Sequence, residues 1–306
     1  MVVRRALALD TEISTIIYKA IKNSHSTHQV SQMSASQQAT PFMFKILVVG
    51  KAYAGKTCCI KRLVHNTFTN SYKSTLGVDF AITQFTIPQE EIQLYLTGTP
   101  PDAYYMAPTT SDTSTMQINL SSYRPPCYEG GNKITLPKTH PIYTLPSVSI
   151  RAQLWDIAGQ ERYTSLTRAY YRNAVAAVVV GDLESPTFYE DVLGWKKDID
   201  EKVKLMDTDV PIPCILCCNK IDSEAANAWY AKNGEAVAKF ARENRFAGMY
   251  TTSALTGANL QCAFQHLCVA TLAELLVIQQ AQTPSTNPIV VSMEQSKERS
   301  TTRACC

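Results

Sequence analysis

Apolar and polar positions alternate along this chain in two signatures. Short, nearly continuous apolar runs occur at 44–50 (FKILVVG), 176–181 and 213–218 (PCILCC), as expected of strands buried on both faces. Residues 78–87 and 147–155 carry the two-residue alternation of half-buried strands, and 249–254 reads as a sixth strand. Between them, helical spacing predicts helices over 55–67, 185–205, 234–244 and 259–279. Ser185 and Pro186 supply an N-cap and a proline at the first helical position of the second of these. Strand–helix alternation of this kind predicts an α/β fold: a doubly wound, mostly parallel six-stranded sheet with helices on both faces.

Three stretches keep neither period. Residues 1–43 form an N-terminal extension with a polar tract at 23–41; its amphipathic run at 13–21 (ISTIIYKAI) reads as a weakly ordered appendage. Residues 88–146 form an insertion rich in Pro, Tyr and Thr that holds nine of the fifteen prolines. It joins the second and third strands, which a short hairpin would normally connect, and is expected next to the switches described below. It lengthens a loop at modest entropic cost and adds no evident second core. Residues 283–306 form a polar, flexible tail. A length of 306 residues suggests two domains, whereas the pattern leaves one, 44–282, interrupted by the insertion.

Composition narrows the class. With 45% apolar and 18% charged residues the chain can bury a core, and a net charge of +3 is too small to argue for a nucleic-acid partner. The longest apolar run, 174–180, is far short of the roughly 20 residues of a membrane-spanning helix. Asp10 and Glu12 interrupt the N-terminal stretch where a signal peptide would be apolar. The ten cysteines are scattered rather than framed as disulfides. Cys214 and Cys217 lie in a strand-like run that points residues three apart to opposite faces, so they read as buried thiols rather than a zinc pair. His25 and His28 lack cysteine partners and are not read as ligands.

The chemistry lies in three motifs at strand ends. Gly50 to Thr57, GKAYAGKT, satisfies GxxxxGK[ST] between a strand and a helix. Backbone N–H groups from Ala52, Tyr53, Ala54, Gly55 and Cys58 can surround a phosphate, Lys56 can reach its β- and γ-oxygens, and the Thr57 hydroxyl can hold Mg²⁺. Asp156-Ile-Ala-Gly159-Gln160 follows an apolar strand. There the carboxylate can hold Mg²⁺ through its water shell, the glycine N–H can approach a γ-phosphate, and Gln160 can orient water. Asn219-Lys220-Ile-Asp222 follows PCILCC, and Asp222 can accept both N1–H and N2–H of guanine while meeting an acceptor on adenine. An adenine-nucleotide P-loop enzyme is therefore the weaker alternative.

These motifs resemble those of the Ras-like small GTPases, and within them the Rab family. Tyr72 to Phe80 (YKSTLGVDF) is similar to the Rab first switch, and Leu154 to Arg172 (LWDIAGQERYTSLTRAYYR) to the second. NKID and Thr252-Ser253-Ala254 resemble the guanine-base motifs. DIAGQE, VDFA and GWKKDIDEKV are similar to the subgroup serving lysosome-related organelles. The resemblance covers 44–87 and 147–282. It implies that Thr75 ligates Mg²⁺ with Thr57 and Asp156, that Ser253 and Ala254 support the guanine O6 side, and that Phe80, Trp155 and Tyr170 form the effector surface. It also implies that Cys305 and Cys306 carry geranylgeranyl chains, two being enough for stable anchoring.

The implied protein is a monomeric GTP/GDP switch that hydrolyses GTP slowly with Lys56 and Gln160 as its catalytic residues. It would work with an exchange factor, a GTPase-activating protein, Rab effectors and a Rab escort or GDP-dissociation inhibitor. It would act in vesicle trafficking on the cytoplasmic face of an endosome, a lysosome-related organelle or another endomembrane, with a cytosolic pool. The alternative is a GTP-binding scaffold with negligible hydrolysis. Two departures bear on this: Ala52 stands where Ras proteins carry glycine, and Leu255 replaces the lysine of the last motif, implying weaker but still selective guanine binding.

Overall fold

A computed structural model describes residues 41–69, 75, 77–89, 91–92, 145–160, 167–206 and 208–282. The 13–21 stretch, His25, His28, Tyr72, most of the insertion and the tail with Cys305 and Cys306 lie outside the described residues.

Six strands form one sheet: β1 (Phe42–Val49), β2 (Val78–Pro88), β3 (Ser147–Ile157), β4 (Ala176–Asp182), β5 (Cys214–Asn219) and β6 (Gly248–Thr251). Their order is β2-β3-β1-β4-β5-β6. All neighbours are parallel except β2 and β3. The helices are α1 (Lys56–His65), α2 (Thr167–Tyr171), α3 (Phe188–Lys202), α4 (Glu224–Glu243) and α5 (Leu260–Gln282). The chain leaves β1 toward one edge through α1, then crosses to the other through α2, α3 and α4. Right-handed crossovers therefore put these groups on opposite faces. Consistent with this, α1 touches α5, while α3 and α4 share a cluster of Phe188, Tyr189, Trp229 and Phe240 with ring centroids 5.0–6.2 Å apart. The doubly wound sheet expected from the alternation is what is found.

The central strands are buried because both faces are covered, which is why they read as continuous apolar runs: Ile46 through Val49 and Ala176 through Val179 have no exposed surface. Cys214, Cys217 and Cys218 are buried in β5, and burial pushes all three thiols up, Cys214 to about 12. Among the described residues no group of three or more His, Cys, Asp and Glu is placed to hold a metal. One stretch, Leu260–Ile278, is long and apolar enough to cross a membrane, but 78% of it is buried inside the domain as core.

Three expectations change. The helix expected from Ser185 begins at Phe188, with Thr187 at its N-cap. Ser185 and Pro186 instead form a turn in which the Phe188 N–H donates to the Ser185 carbonyl (3.1 Å) and the Ser185 hydroxyl donates to Asp191 (3.1 Å). The helix expected over 234–244 starts ten residues earlier. Ser223 has the extended backbone of an N-cap (φ −73°, ψ 135°), and burial of Ala226, Val237 and Ala241 carries the helix through Asn233 and Gly234. Finally, the insertion does not spring from beside the switches. Val78 pairs with Ile157 at the switch end of the β2–β3 ladder, whereas Pro88 pairs with Ser147 ten residues along, about 33 Å away.

Candidate nucleotide site

The order of strands places β1 between β3 and β4, where the chain turns to opposite edges; ligands of such sheets sit at that point, off the carboxyl ends of the strands. A cleft of about 490 Å³ opens there, lined by the GKAYAGKT loop, Thr75, Gly159, Gln160, Asn219, Lys220, Asp222 and Ala254. The structure thus gathers residues from all three motifs.

The loop is built for an anion. Gly55 is the N-cap of α1 with φ 94°, a conformation glycine favours, and a Cβ there would lie 2.3 Å from Asn219 Nδ2. No side chain caps the helix and its first turn holds no acidic residue, so the amides and the helix dipole remain available. Lys56 is buried and donates to the Gly50 and Lys51 carbonyls (both 3.0 Å). Burial lowers its pKa to about 8 although Asp156 raises it. A phosphate would supply the compensating charge.

Beside it, the Thr57 hydroxyl donates to Asp156 Oδ2 (2.5 Å) and lies 2.9 Å from the Thr75 hydroxyl. Burial raises the Asp156 pKa, partly offset by Thr57 and Lys56. Asp156 Oδ1 is buried without a hydrogen-bond partner. Three hard oxygen donors and an orphaned carboxylate oxygen fit Mg²⁺. Gly159 packs against the loop so closely that a Cβ would meet the Ala52 nitrogen at 2.3 Å. Gln160 is exposed at the cleft. Tyr53, 65% exposed with φ 69°, stands on the cleft wall.

Asn219 ties the site together. Its Nδ2 donates to the Ala54 carbonyl (2.8 Å), and its Oδ1 accepts from the Ala254 N–H (3.2 Å). Ser253 donates its hydroxyl to Asp222. Lys220 (φ 71°) donates to Asp182 (2.7 Å) and Glu184 (3.4 Å); burial would lower its pKa, but these carboxylates raise it.

Some participants were missed in the sequence. Phe68, half-buried on the cleft, can stack on a base; its signal is an aromatic just past the first helix. Arg62 donates from Nε to the Ala254 carbonyl (3.1 Å) and from its terminal nitrogen to the Leu255 carbonyl, bracing the last motif from α1. Lys51 reaches across to Thr187 (2.8 Å) and Asp191 (3.0 Å) on α3. Nothing in the pattern of the chain pairs either residue with its partners.

Of the expected effector trio, Phe80 and Trp155 are opposite each other on β2 and β3 and meet edge to face at 4.4 Å. Phe80 remains 58% exposed. Tyr170 lies across from Gly77, its hydroxyl 3.6 Å from where a Cβ would stand.

Fold and cleft together define a P-loop nucleotide-binding protein whose loop, carboxylate and base-side motifs follow the small-GTPase order. The Ras family model matches residues 45–124 and 134–273, and the chain belongs to that family. Its relatives are Rab proteins. It is 33% identical over 226 residues to Ras-related protein Rab-32A of Dictyostelium discoideum, covering 74% of this chain and 76% of that one. It is 31% identical over 265 residues to Ras-related protein Rab-32 of Homo sapiens (86% and 89% covered) and 32% over 225 residues to Ras-related protein Rab-7L1 of Homo sapiens (74% and 80%). It is therefore a Rab-related small GTPase, consistent with the subgroup to which DIAGQE pointed.

Proposed function

We propose that the cleft holds GTP or GDP with Mg²⁺ and that the bound nucleotide decides whether effectors are recruited to an intracellular membrane. Loop amides from Ala52 to Cys58 and the Lys56 ammonium hold the phosphates. Thr57, Thr75 and the Asp156 carboxylate hold the metal, which neutralises β- and γ-phosphate oxygens when bound. Thr75 and Gly159 touch the γ-phosphate, so both switches are ordered with GTP and released with GDP. Asp222 accepts two hydrogen bonds from guanine while Ser253 holds the carboxylate in place. Asn219 keeps the Ala254 N–H beside O6, and Phe68 and Leu255 supply apolar cover for the base.

Chemistry is positioning and charge: Gln160 orients water while Lys56 stabilises charge on the oxygens. No arginine lines the cleft among the described residues, so hydrolysis is slow alone and an activating protein supplies one, worth about 10³–10⁵ in rate. An exchange factor, Rab effectors reading Phe80, Trp155 and Tyr170, and an escort or dissociation-inhibitor protein complete the cycle. Geranylgeranyl chains on Cys305 and Cys306 anchor the protein to the endosomal or lysosome-related membrane where it acts.

The observation that carries this reading is the meeting of Thr57, Thr75 and Asp156 beside the buried Lys56, since a metal–phosphate group uses all four. Single-turnover GTP hydrolysis tests it. Gln160→Leu should abolish activator-stimulated turnover while leaving GTP affinity within about twofold. An unchanged stimulated rate removes Gln160 from the reaction.

A further inference from the structure

The C-terminal helix α5 changes character along one face. In its first two turns Leu260, Ala263 and Phe264 are buried, while Gln261 is exposed and Cys262 and Gln265 are partly so. The outer face therefore runs through Gln261, Cys262 and Gln265. Continued at helical spacing of three, four, seven and eleven residues from Gln265, it reaches Cys268, Val269, Leu272 and Leu276. These are apolar and buried, at 0, 0, 1 and 3% exposure. From His266 to Val277 the helix is buried all round. The described elements it touches are the sheet and α1, and a flat sheet with one lateral helix cannot cover the far side of a cylinder. The outer face is left for a further part of the chain to cover.

The start of the insertion already does. Backbone at Gln89, Glu91 and Ile92 is helical and leaves β2 toward α5. Gln265, on the outer face, donates to both Glu91 oxygens (3.1 and 3.0 Å). Ile92, one residue on, is 1% exposed and belongs to the core. The residues that follow, Gln93-Leu94-Tyr95-Leu96, continue the apolar character of Ile92. We propose that the outer face of α5, formed by Val269, Leu272 and Leu276 with Cys268 at its flank, is the docking site of the insertion segment beginning at Ile92 and carrying Leu94, Tyr95 and Leu96. The insertion is then fastened to the C-terminal helix, away from the nucleotide, and leaves the Phe80–Trp155 surface uncovered.

Cysteine protection reads this directly. Full-length GDP-loaded protein is treated with iodoacetamide and labelling is mapped by peptide mass, with half-exposed Cys262 as the accessible reference. Cys268 should be protected in the full chain and in a variant lacking 1–40. It should label about tenfold faster, or more, when 93–144 is replaced by a short Gly/Ser linker. Leu94→Asp with Leu96→Asp in the otherwise intact chain serves as the second variant, with retained GDP binding reporting that the domain is folded, and should expose Cys268 likewise. Protection retained in both insertion variants overturns the proposal. Exposure only in the variant lacking 1–40 gives the face to the N-terminal extension instead, and protection that falls on dilution of the full chain gives it to a second copy.

Discussion

Lys45 sits with its ammonium 3.3 Å above the Trp155 ring and donates to the Arg172 carbonyl (2.7 Å). Burial lowers its pKa to about 7. Between pH 7 and its ordinary value of 10.5 the folded protein binds fewer protons than the unfolded chain, so this group makes stability rise with pH in that window. Replacing it by Met removes a charge that burial disfavours. Lys45→Met should raise Tm at pH 6, where the penalty is full, by an amount equivalent to on the order of 1 kcal/mol once the ring and carbonyl offset part of it. The gain should shrink as pH rises from 7 to 10, and a gain independent of pH would remove Lys45 as its source. Other residues in or beside the cleft were legible in the chain because the chemistry proposed for them demands the residue type. Asp222, Lys56, Thr57 and Asp156 each have few substitutes for their task. Phe68, Arg62 and Lys51 were not, because an aromatic, an arginine and a lysine are common everywhere and only folding shows what they touch.

The elements were legible where their burial is uniform. β1, β4 and β5 are covered on both faces and so read as unbroken apolar runs, right to within two residues. Helix starts were less so: Ser185-Pro186 has the composition of a cap but folds as a turn, and the Asn233-Gly234 pair hides a helix held by packing on Val237 and Ala241. How the elements are locked at the site could not be read at all. Asn219 joins β5 to the phosphate loop and to the chain after β6, and Arg62 joins α1 to the same place. Asn219→Ala leaves the buried Ala54 carbonyl without its donor and should cost about 2–3 kcal/mol in chemical denaturation of the GDP form. Arg62→Ala removes contacts that only the assembled site makes. It should speed GDP release roughly tenfold with a smaller loss of stability, seen with a fluorescent nucleotide. Equal effects on release and on stability would make Arg62 a general brace rather than one for the base motif.

At the scale of the molecule, length suggested two domains, and the described residues form one sheet with a single continuous core. The chain showed where the insertion falls in sequence; its distance from the switches depends on which end of the β2–β3 ladder it closes, and that is set by pairing register. The proposed lipid anchor is tested at this scale as well. Cys305→Ser with Cys306→Ser should move the tagged protein from membrane to cytosol in cells, because Lys297, Arg299 and Arg303 are largely cancelled in charge by Glu294 and Glu298, too little to hold the protein to a membrane. Membrane association unchanged by the double substitution would require another anchor. The proposed selection of guanine through Asp222 in the assembled cleft is measured by competition binding with Mg²⁺. The unmodified protein should strongly prefer GDP over ADP despite Leu255, and Asp222→Asn, whose amide donates where the carboxylate accepted, should shift the preference to xanthosine diphosphate. Equal affinity for GDP and ADP in the unmodified protein would contradict it.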